Sequence, residues 1–327
     1  MSFRWGILGC GSIARKFATG LKALDDAQLV AVGSRTQDNA DAFGNEFDVP
    51  ARHSSYQALA EDPLVDAVYV ATPHPMHKDN SILCLENGKA VLCEKPFTVN
   101  EGEARELIAV AREKNVFLME AMWTRFLPVI IETRKRIADG EIGEVRMVSA
   151  DFGFRANVNP EGRLFSPSLA GGALLDIGVY TVSFASMIMG AQPSDIAGGA
   201  QIGETGVDEQ GAMVFGYGEA GRLALLSCAI RARTPHDATI IGTDGYIRLP
   251  KFWSGTEAVL VKGNNEEVIE APYEGNGYNC EAEEVARCVQ EGKTESDIMP
   301  LDETLAIMNT LDRIRSDWGL KYPMEQQ

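Results

Sequence analysis

Gly9, Gly11 and Ala14 spell G-x-G-x-x-A inside ILGCGSIA. An apolar, strand-like run at residues 3–8 precedes them, and a helical pattern at residues 12–24 follows. In such a turn the first glycine makes the bend. The second lets backbone approach a pyrophosphate, and the small third residue lets helix and strand pack closely. Four further apolar runs, at residues 29–33, 67–71, 90–93 and 116–119, alternate with helical patterns at 38–47, 76–86 and 101–114. Strand and helix alternating at this spacing predict a parallel sheet covered on both faces, a doubly wound Rossmann domain. Asn100 is placed to cap the 101–114 helix, with Glu101 and Glu103 in its first turn.

The texture changes after Trp123. One helical pattern, 128–139, ends near Gly140. Strand-like runs separated by glycine follow at 144–154, 195–202, 207–217, 222–230, 238–242, 246–249, 258–261 and 267–270. Several alternate apolar with polar, the mark of an antiparallel sheet with one covered face. Helical patterns at 173–189, 280–291 and 301–317 are expected to cover it, leaving the other face to solvent or a partner. The expected organisation is α/β: a dinucleotide-binding Rossmann domain at 1–122 and an α+β domain with a large antiparallel sheet at 123–327, for substrate and oligomerisation.

The 327 residues suffice for two such domains, and 45 % hydrophobic content suffices for their cores. A formal net charge of −17 opposes phosphate backbones and anionic membranes, so neither nucleic acid nor membrane is an expected partner. No segment reads as a signal peptide or an uninterrupted apolar span. Cys10, Cys84, Cys93, Cys228, Cys280 and Cys288 form no CxxC, and several lie in apolar runs. Reduced cysteine in a cytoplasmic protein is the expectation. The four histidines are not grouped with cysteines, so no metal site is expected.

The run at 29–33 is followed by Ser34 and Arg35. An NAD-specific fold usually places an acid there for the ribose 2′-hydroxyl. A hydroxyl and a guanidinium suit a 2′-phosphate instead. NADP is therefore the expected cofactor, with NAD possible if Arg35 is only a solvated loop residue.

The run at 90–93 ends in Glu94-Lys95-Pro96. Ligands of open α/β sheets lie outside the carboxyl ends of strands, which aims Lys95 at a cofactor crevice. Farther on, GGALLDIGVYTVSF carries Asp176 and Tyr180 four residues apart, on one helix face. A carboxylate and a phenol among Leu174, Leu175, Ile177 and Val179 are either a buried hydroxyl satisfied by an acid or working groups. With Lys95 they make an acid/base set. Removing hydride from a carbinol requires a group to take the hydroxyl proton, here either Lys95 or Tyr180, and an ammonium favours the phenolate of a nearby tyrosine. Asp176 would orient substrate or hold Lys95 charged.

These motifs, with ATPHPMH at residues 71–77 and CEKPF at 93–97, resemble the Gfo/Idh/MocA oxidoreductases along essentially the whole chain. MEAMWTRFLP and the tyrosine at 180 resemble the branch of dihydrodiol dehydrogenases and NADP-dependent D-xylose dehydrogenases. The resemblance implies that Gly9, Cys10, Gly11, Ser12 and Ile13 hold the pyrophosphate, and Ser34 and Arg35 the adenosine end. It implies that Thr72, Pro73, His74 and His77 line the cofactor groove, with Glu94 and Lys95 near the nicotinamide. For the two histidines a helix N-terminal turn is the equal alternative. Trp123 and Arg125 are implied at the crevice, or else in domain packing and an ion pair. Phe154, Asn157 and Trp253 are weaker pocket candidates. A cis peptide before Pro96 is also implied, as is a homodimer or larger assembly through the open sheet face.

The expected activity is NADP-dependent hydride transfer from a sugar hydroxyl, such as that of a pyranose like D-xylose, or from a trans-dihydrodiol. The alternatives are reduction of keto-sugars or dicarbonyls on the same site, or a non-catalytic dinucleotide-binding sensor. A sensor has no need of Lys95, Asp176 and Tyr180 together.

Overall fold

A computed structural model describes residues 2–218 and 221–326. The chain divides into two compact units, Met1–Trp123 with Glu274–Leu305, and Thr124–Tyr273 with Ala306–Gln327.

The first unit runs β1 (Phe3–Leu8), α1 (Ser12–Leu21), β2 (Ala27–Gly33), α2 (Gln37–Phe47), β3 (Ala51–His53), α3 (Tyr56–Ala60), β4 (Ala67–Val70), α4 (His77–Glu86), β5 (Ala90–Glu94), α5 (Glu101–Lys114) and β6 (Leu118–Ala121). Its six strands lie in the order β3-β2-β1-β4-β5-β6, all parallel. Chain order reverses between β1 and β4, which opens a crevice at their carboxyl ends. Trp5, Phe17 and Tyr69 are fully buried, and the Phe17 and Tyr69 rings stack at 3.8 Å. The Asn100 side chain accepts the Glu103 N–H at 2.9 Å, and Glu103 reaches back to the Val99 N–H at 3.1 Å. These reciprocal bonds start α5 where the sequence placed it.

The second unit runs α6 (Pro128–Ala138), β7 (Val145–Gly153), a π turn (Leu174–Gly178), α7 (Val179–Met189), β8 (Asp195–Ile202), β9 (Asp208–Tyr217), β10 (Arg222–Ala229), β11 (Ala238–Gly242), β12 (Tyr246–Leu249), β13 (Glu257–Lys262) and β14 (Asn265–Glu270). The eight strands lie in the order β14-β13-β12-β11-β7-β10-β9-β8. Every pairing is antiparallel except β7 with β10. α7 packs across β7 and β10, and the strands alternate buried with exposed residues as a one-sided sheet must. The apolar stretch Pro167–Met189 is long enough to cross a membrane, but 89 % of its most apolar 18-residue window is buried, as in a core helix.

Two expectations need correction. A single boundary near residue 122 does not divide the chain, because α8 (Tyr278–Gln290) returns to the first unit. Its apolar face, including Ala282 and Val285, is buried, and it packs on α1 rather than on the large sheet. Gly20 permits this, since a Cβ there would meet Asn276 Oδ1 at 2.7 Å and Tyr278 Cβ at 3.2 Å. α9 (Leu301–Asp317) begins in the first unit and ends in the second. The 173–189 pattern is also not one regular helix, since it opens with the wider π turn.

Candidate active site

In the first unit, Gly9 has φ +102°, and a Cβ there would meet the Ala71 carbonyl oxygen at 2.9 Å. Glycine is required by both facts. A Cβ on Gly11 would meet nothing within 4 Å, so the space over that residue is open. No side chain caps the α1 N-terminus, which leaves the N–H groups of its first turn, at Ser12 and Ile13, for an anion. Arg15 braces the loop from below, its Nη1 donating to the Cys10 carbonyl at 2.5 Å.

β2 delivers Ser34 beside this loop. Ser34 is buried, Arg35 is exposed, and the Ser34 hydroxyl interacts with the Cys10 thiol. Burial pushes that thiol pKa up. The Tyr56 phenol senses the Arg35 charge and the Cys10 thiol, so Cys10, Ser34, Arg35 and Tyr56 form one neighbourhood. A phosphate and an adenosine ribose fit these groups: open backbone N–H donors, a hydroxyl and an exposed guanidinium.

His77, the first residue of α4, is fully buried. Its Nδ1 lies 2.8 Å from the Pro96 carbonyl and its Nε2 2.8 Å from the Thr72 carbonyl. It therefore ties two crevice loops together rather than presenting a free ring nitrogen. Burial holds its pKa below the ordinary value, with the Lys95 charge adding to that effect. Asn80 fixes the Thr72 hydroxyl at 3.1 Å. His74 sits in the short turn after Pro73, buried, with its ring edge-on to His77 at 5.8 Å.

Glu94 ends β5 and is buried. The Tyr69 hydroxyl donates to its Oε1, and the Lys95 N–H donates to its Oε2 at 3.2 Å. The Lys95–Pro96 peptide is cis. Phe97 N–H donates to Glu120 Oε1 at 3.2 Å, so two acids from adjacent strands brace the loop that carries Lys95. A third, Glu281 from α8, is fully buried, with neither carboxyl oxygen hydrogen-bonded among the described residues. Burial first, then the Glu94 and Glu120 charges, push its pKa well above the carboxylate range. Trp123 stacks on Tyr278 at 4.6 Å, which makes it a packing residue of this unit.

In the second unit, Tyr180 lies in the first turn of α7 and is 7 % exposed. Phe152 meets it edge-on at 5.4 Å. Trp253 stacks on Phe152 at 4.8 Å, and its Nε1 donates to His236 Nδ1 at 3.2 Å. His236 packs on Phe152 at 5.0 Å and is tied through Nε2 to the Gly153 carbonyl at 2.6 Å. Asp176 is buried, and Arg163 Nη1 donates to its Oδ1 at 2.7 Å. Arg125, also buried, bonds the Ser183 hydroxyl and carbonyl, each at 3.0 Å, and so anchors α7.

Sequence reasoning placed Tyr180, Asp176 and Trp253 in this neighbourhood. It chose Phe154, which is half-buried beyond the end of β7, and Asn157, which is exposed on the following loop. It missed Phe152, His236 and Arg163. Strand alternation puts Phe152 on the same face as Phe154, and that signal could have found it.

Residues 3–122 match the oxidoreductase family with an NAD-binding Rossmann fold, and residues 130–248 match the GFO/IDH/MocA C-terminal domain. The chain belongs to the GFO/IDH/MocA oxidoreductase family. This oxidoreductase is 40 % identical to trans-1,2-dihydrobenzene-1,2-diol dehydrogenase of Mus musculus, over 100 % of both chains. The enzyme of the same name from Homo sapiens is 38 % identical, again over 100 % of both chains. Among solved structures it resembles KijD10, a 3-ketoreductase from Actinomadura kijaniata in complex with NADP and TDP-benzene. The TM-score is 0.85 at 26 % identity, covering 97 % of this chain and 98 % of that one. Aldose-aldose oxidoreductase from Caulobacter crescentus shares the fold, with TM-score 0.89 at 23 % identity and 97 % coverage of each chain.

Proposed function

We propose that this oxidoreductase uses NADP to oxidise a secondary hydroxyl of a trans-dihydrodiol, or of a pyranose such as D-xylose. The observation that carries the reading is Tyr180. It is a phenol at the head of a buried helix, beside the aromatic group of Phe152, Trp253 and His236. Flat aromatic faces suit a cyclic diol or a sugar ring. The curated relatives named as dihydrodiol dehydrogenases support it over the full length.

NADP, when bound, supplies the hydride acceptor. Ser12 and Ile13 offer N–H groups to the pyrophosphate, and Ser34 and Arg35 recognise the 2′-phosphate. Thr72, Pro73, His74 and His77 shape the groove wall, with His77 acting through the loops it ties. In the reaction the C–H electron pair leaves as hydride and the hydroxyl proton passes to a base. Tyr180 is assigned that proton, and Lys95 supplies positive charge that favours the developing alkoxide. Asp176, held by Arg163, orients the substrate. The NADP-bound 3-ketoreductase favours a second reading, in which the same groups run a carbonyl reduction.

Val214, Leu223 and Leu225 expose apolar side chains on the open face of the large sheet, and a second copy of this chain is proposed to cover it. All six cysteines are free, which suits the reducing cytoplasm. The test is reduced-nicotinamide absorbance with NADP and NAD against trans-1,2-dihydrobenzene-1,2-diol, D-xylose, D-glucose and inositols. The expected result is turnover of the diol or a pyranose with NADP preferred. Turnover of inositol alone, with NAD preferred, would overturn it.

A further inference from the structure

The segment that presents Asp176 and Tyr180 begins in a socket built by residues remote in sequence. Asp208, the first residue of β9, is fully buried. Its Oδ2 accepts the N–H of Leu174, the first residue of the π turn, at 2.6 Å. Its Oδ1 lies against Gly172, where a Cβ would stand 2.0 Å away and φ is +119°. That oxygen has no hydrogen-bond partner among the described residues. Gly171 is held from two other sides. A Cβ there would meet the Arg163 and Leu164 carbonyl oxygens at 2.7 Å, and the Tyr322 hydroxyl donates to the Gly171 carbonyl at 2.7 Å. Both glycines of GGALLD are thus explained by close approach. Asp208 is the charged group that closes the N-terminus of the segment.

We propose that Asp208 is a positioning residue for the oxidoreduction, its carboxylate fixing the turn that sets Asp176 and Tyr180. The proposal rests on the reading of those two residues given above. Asp208 touches neither substrate nor cofactor in this account; it acts through the Leu174 N–H. A carboxylate at a helical N-terminus is favoured by the segment dipole, and its hydrogen bond is charge-assisted only while it is ionised.

The groups that face Asp208 are few. Arg315 from α9 lowers its pKa, while Tyr322 and Cys228 of β10 sense its charge. Burial pushes the Tyr322 and Cys228 pKa values well up, so both stay neutral. Asp176, on the held segment itself, is paired with Arg163. Burial pushes Asp208 up to about 7, against the lowering effects of the Leu174 N–H and Arg315. The clamp therefore changes charge near neutrality. As pH falls through about 7 the Leu174 bond weakens, and turnover falls with it.

The test compares wild type, Asp208→Asn and Tyr180→Phe in NADP reduction by trans-1,2-dihydrobenzene-1,2-diol, from about pH 5 to about pH 9, with NADP affinity measured by titration. Asn keeps an acceptor for Leu174 but has no charge to lose. The expected result is an inflection of wild-type kcat near pH 7 that Asp208→Asn abolishes, with kcat at about pH 8 reduced roughly 10-fold and NADP affinity changed less than about twofold. Loss at every pH with the inflection retained would mean a merely structural role and overturn the proposal. So would a wild-type profile in Asp208→Asn while Tyr180→Phe is inactive. Full turnover in Tyr180→Phe would remove the underlying reading as well. Where Asp208→Asn fails to fold, the wild-type Leu174 amide resonance decides. A pH titration with midpoint near 7 supports the clamp, and a flat response over the same range overturns it.

Discussion

Glu281 shows what the residue scale demands of this fold. A fully buried carboxyl group beside Glu94 and Glu120 is held protonated well above its ordinary range, first by burial and then by those two charges. In the unfolded chain it ionises near about 4.3. Its folded pKa is the higher one, so its contribution to stability is complete below that value and is lost as pH rises toward the folded one. Glu281→Gln removes the titration. Its melting temperature relative to wild type should therefore rise between about pH 5 and about pH 8, and an equal difference at both would contradict the assignment. None of this was legible from the sequence, because Glu281 lies far along the chain from the acids it faces. Lys95, Asp176 and Tyr180 could be proposed from the sequence because motif spacing marks them. Phe152 could have been found from strand alternation, but His236, Arg163 and Asp208 were not legible, since they act through Gly153 and Trp253, Asp176 and the Leu174 N–H, partners that motif spacing does not encode.

At the scale of elements, the glycine loop is the part the sequence described most fully. Gly9 is demanded by its φ and by the Ala71 carbonyl, but among the described residues none lies within 4 Å of a Cβ at Gly11. In the proposed function its smallness leaves room for the pyrophosphate. Gly11→Val should weaken NADP binding at least about 10-fold in a fluorescence titration while leaving the melting temperature within a few degrees. Unchanged NADP affinity would contradict the phosphate role. The long elements were readable because period and caps agree, as in α5 with Asn100 and Glu103. β3 and α3 were not expected: three and five residues are too short for periodicity to register. The π turn was hidden too, since its residues are as apolar as those of the helix it opens.

The whole molecule is two units threaded by one chain that returns to the first. Composition anticipated two domains but not the return, because α8 carries an ordinary amphipathic pattern that names no partner. The open sheet face was anticipated from strand alternation. Leu225 of β10 stands opposite Val214 of β9, and the two are 45 % and 41 % exposed. Leu225→Glu would place like charges in the face proposed to be shared by two copies. It should lower the solution mass toward 35.5 kDa in light scattering, and an unchanged mass would remove that face from the assembly.

The most direct measurement of the central claim is NADP reduction by trans-1,2-dihydrobenzene-1,2-diol with wild type, Lys95→Ala and Tyr180→Phe side by side. Hydride transfer with a side-chain base predicts wild-type turnover and a loss of about 100-fold or more in each variant, with NADP still bound. Turnover that survives both substitutions would contradict the site assigned to Lys95 and Tyr180.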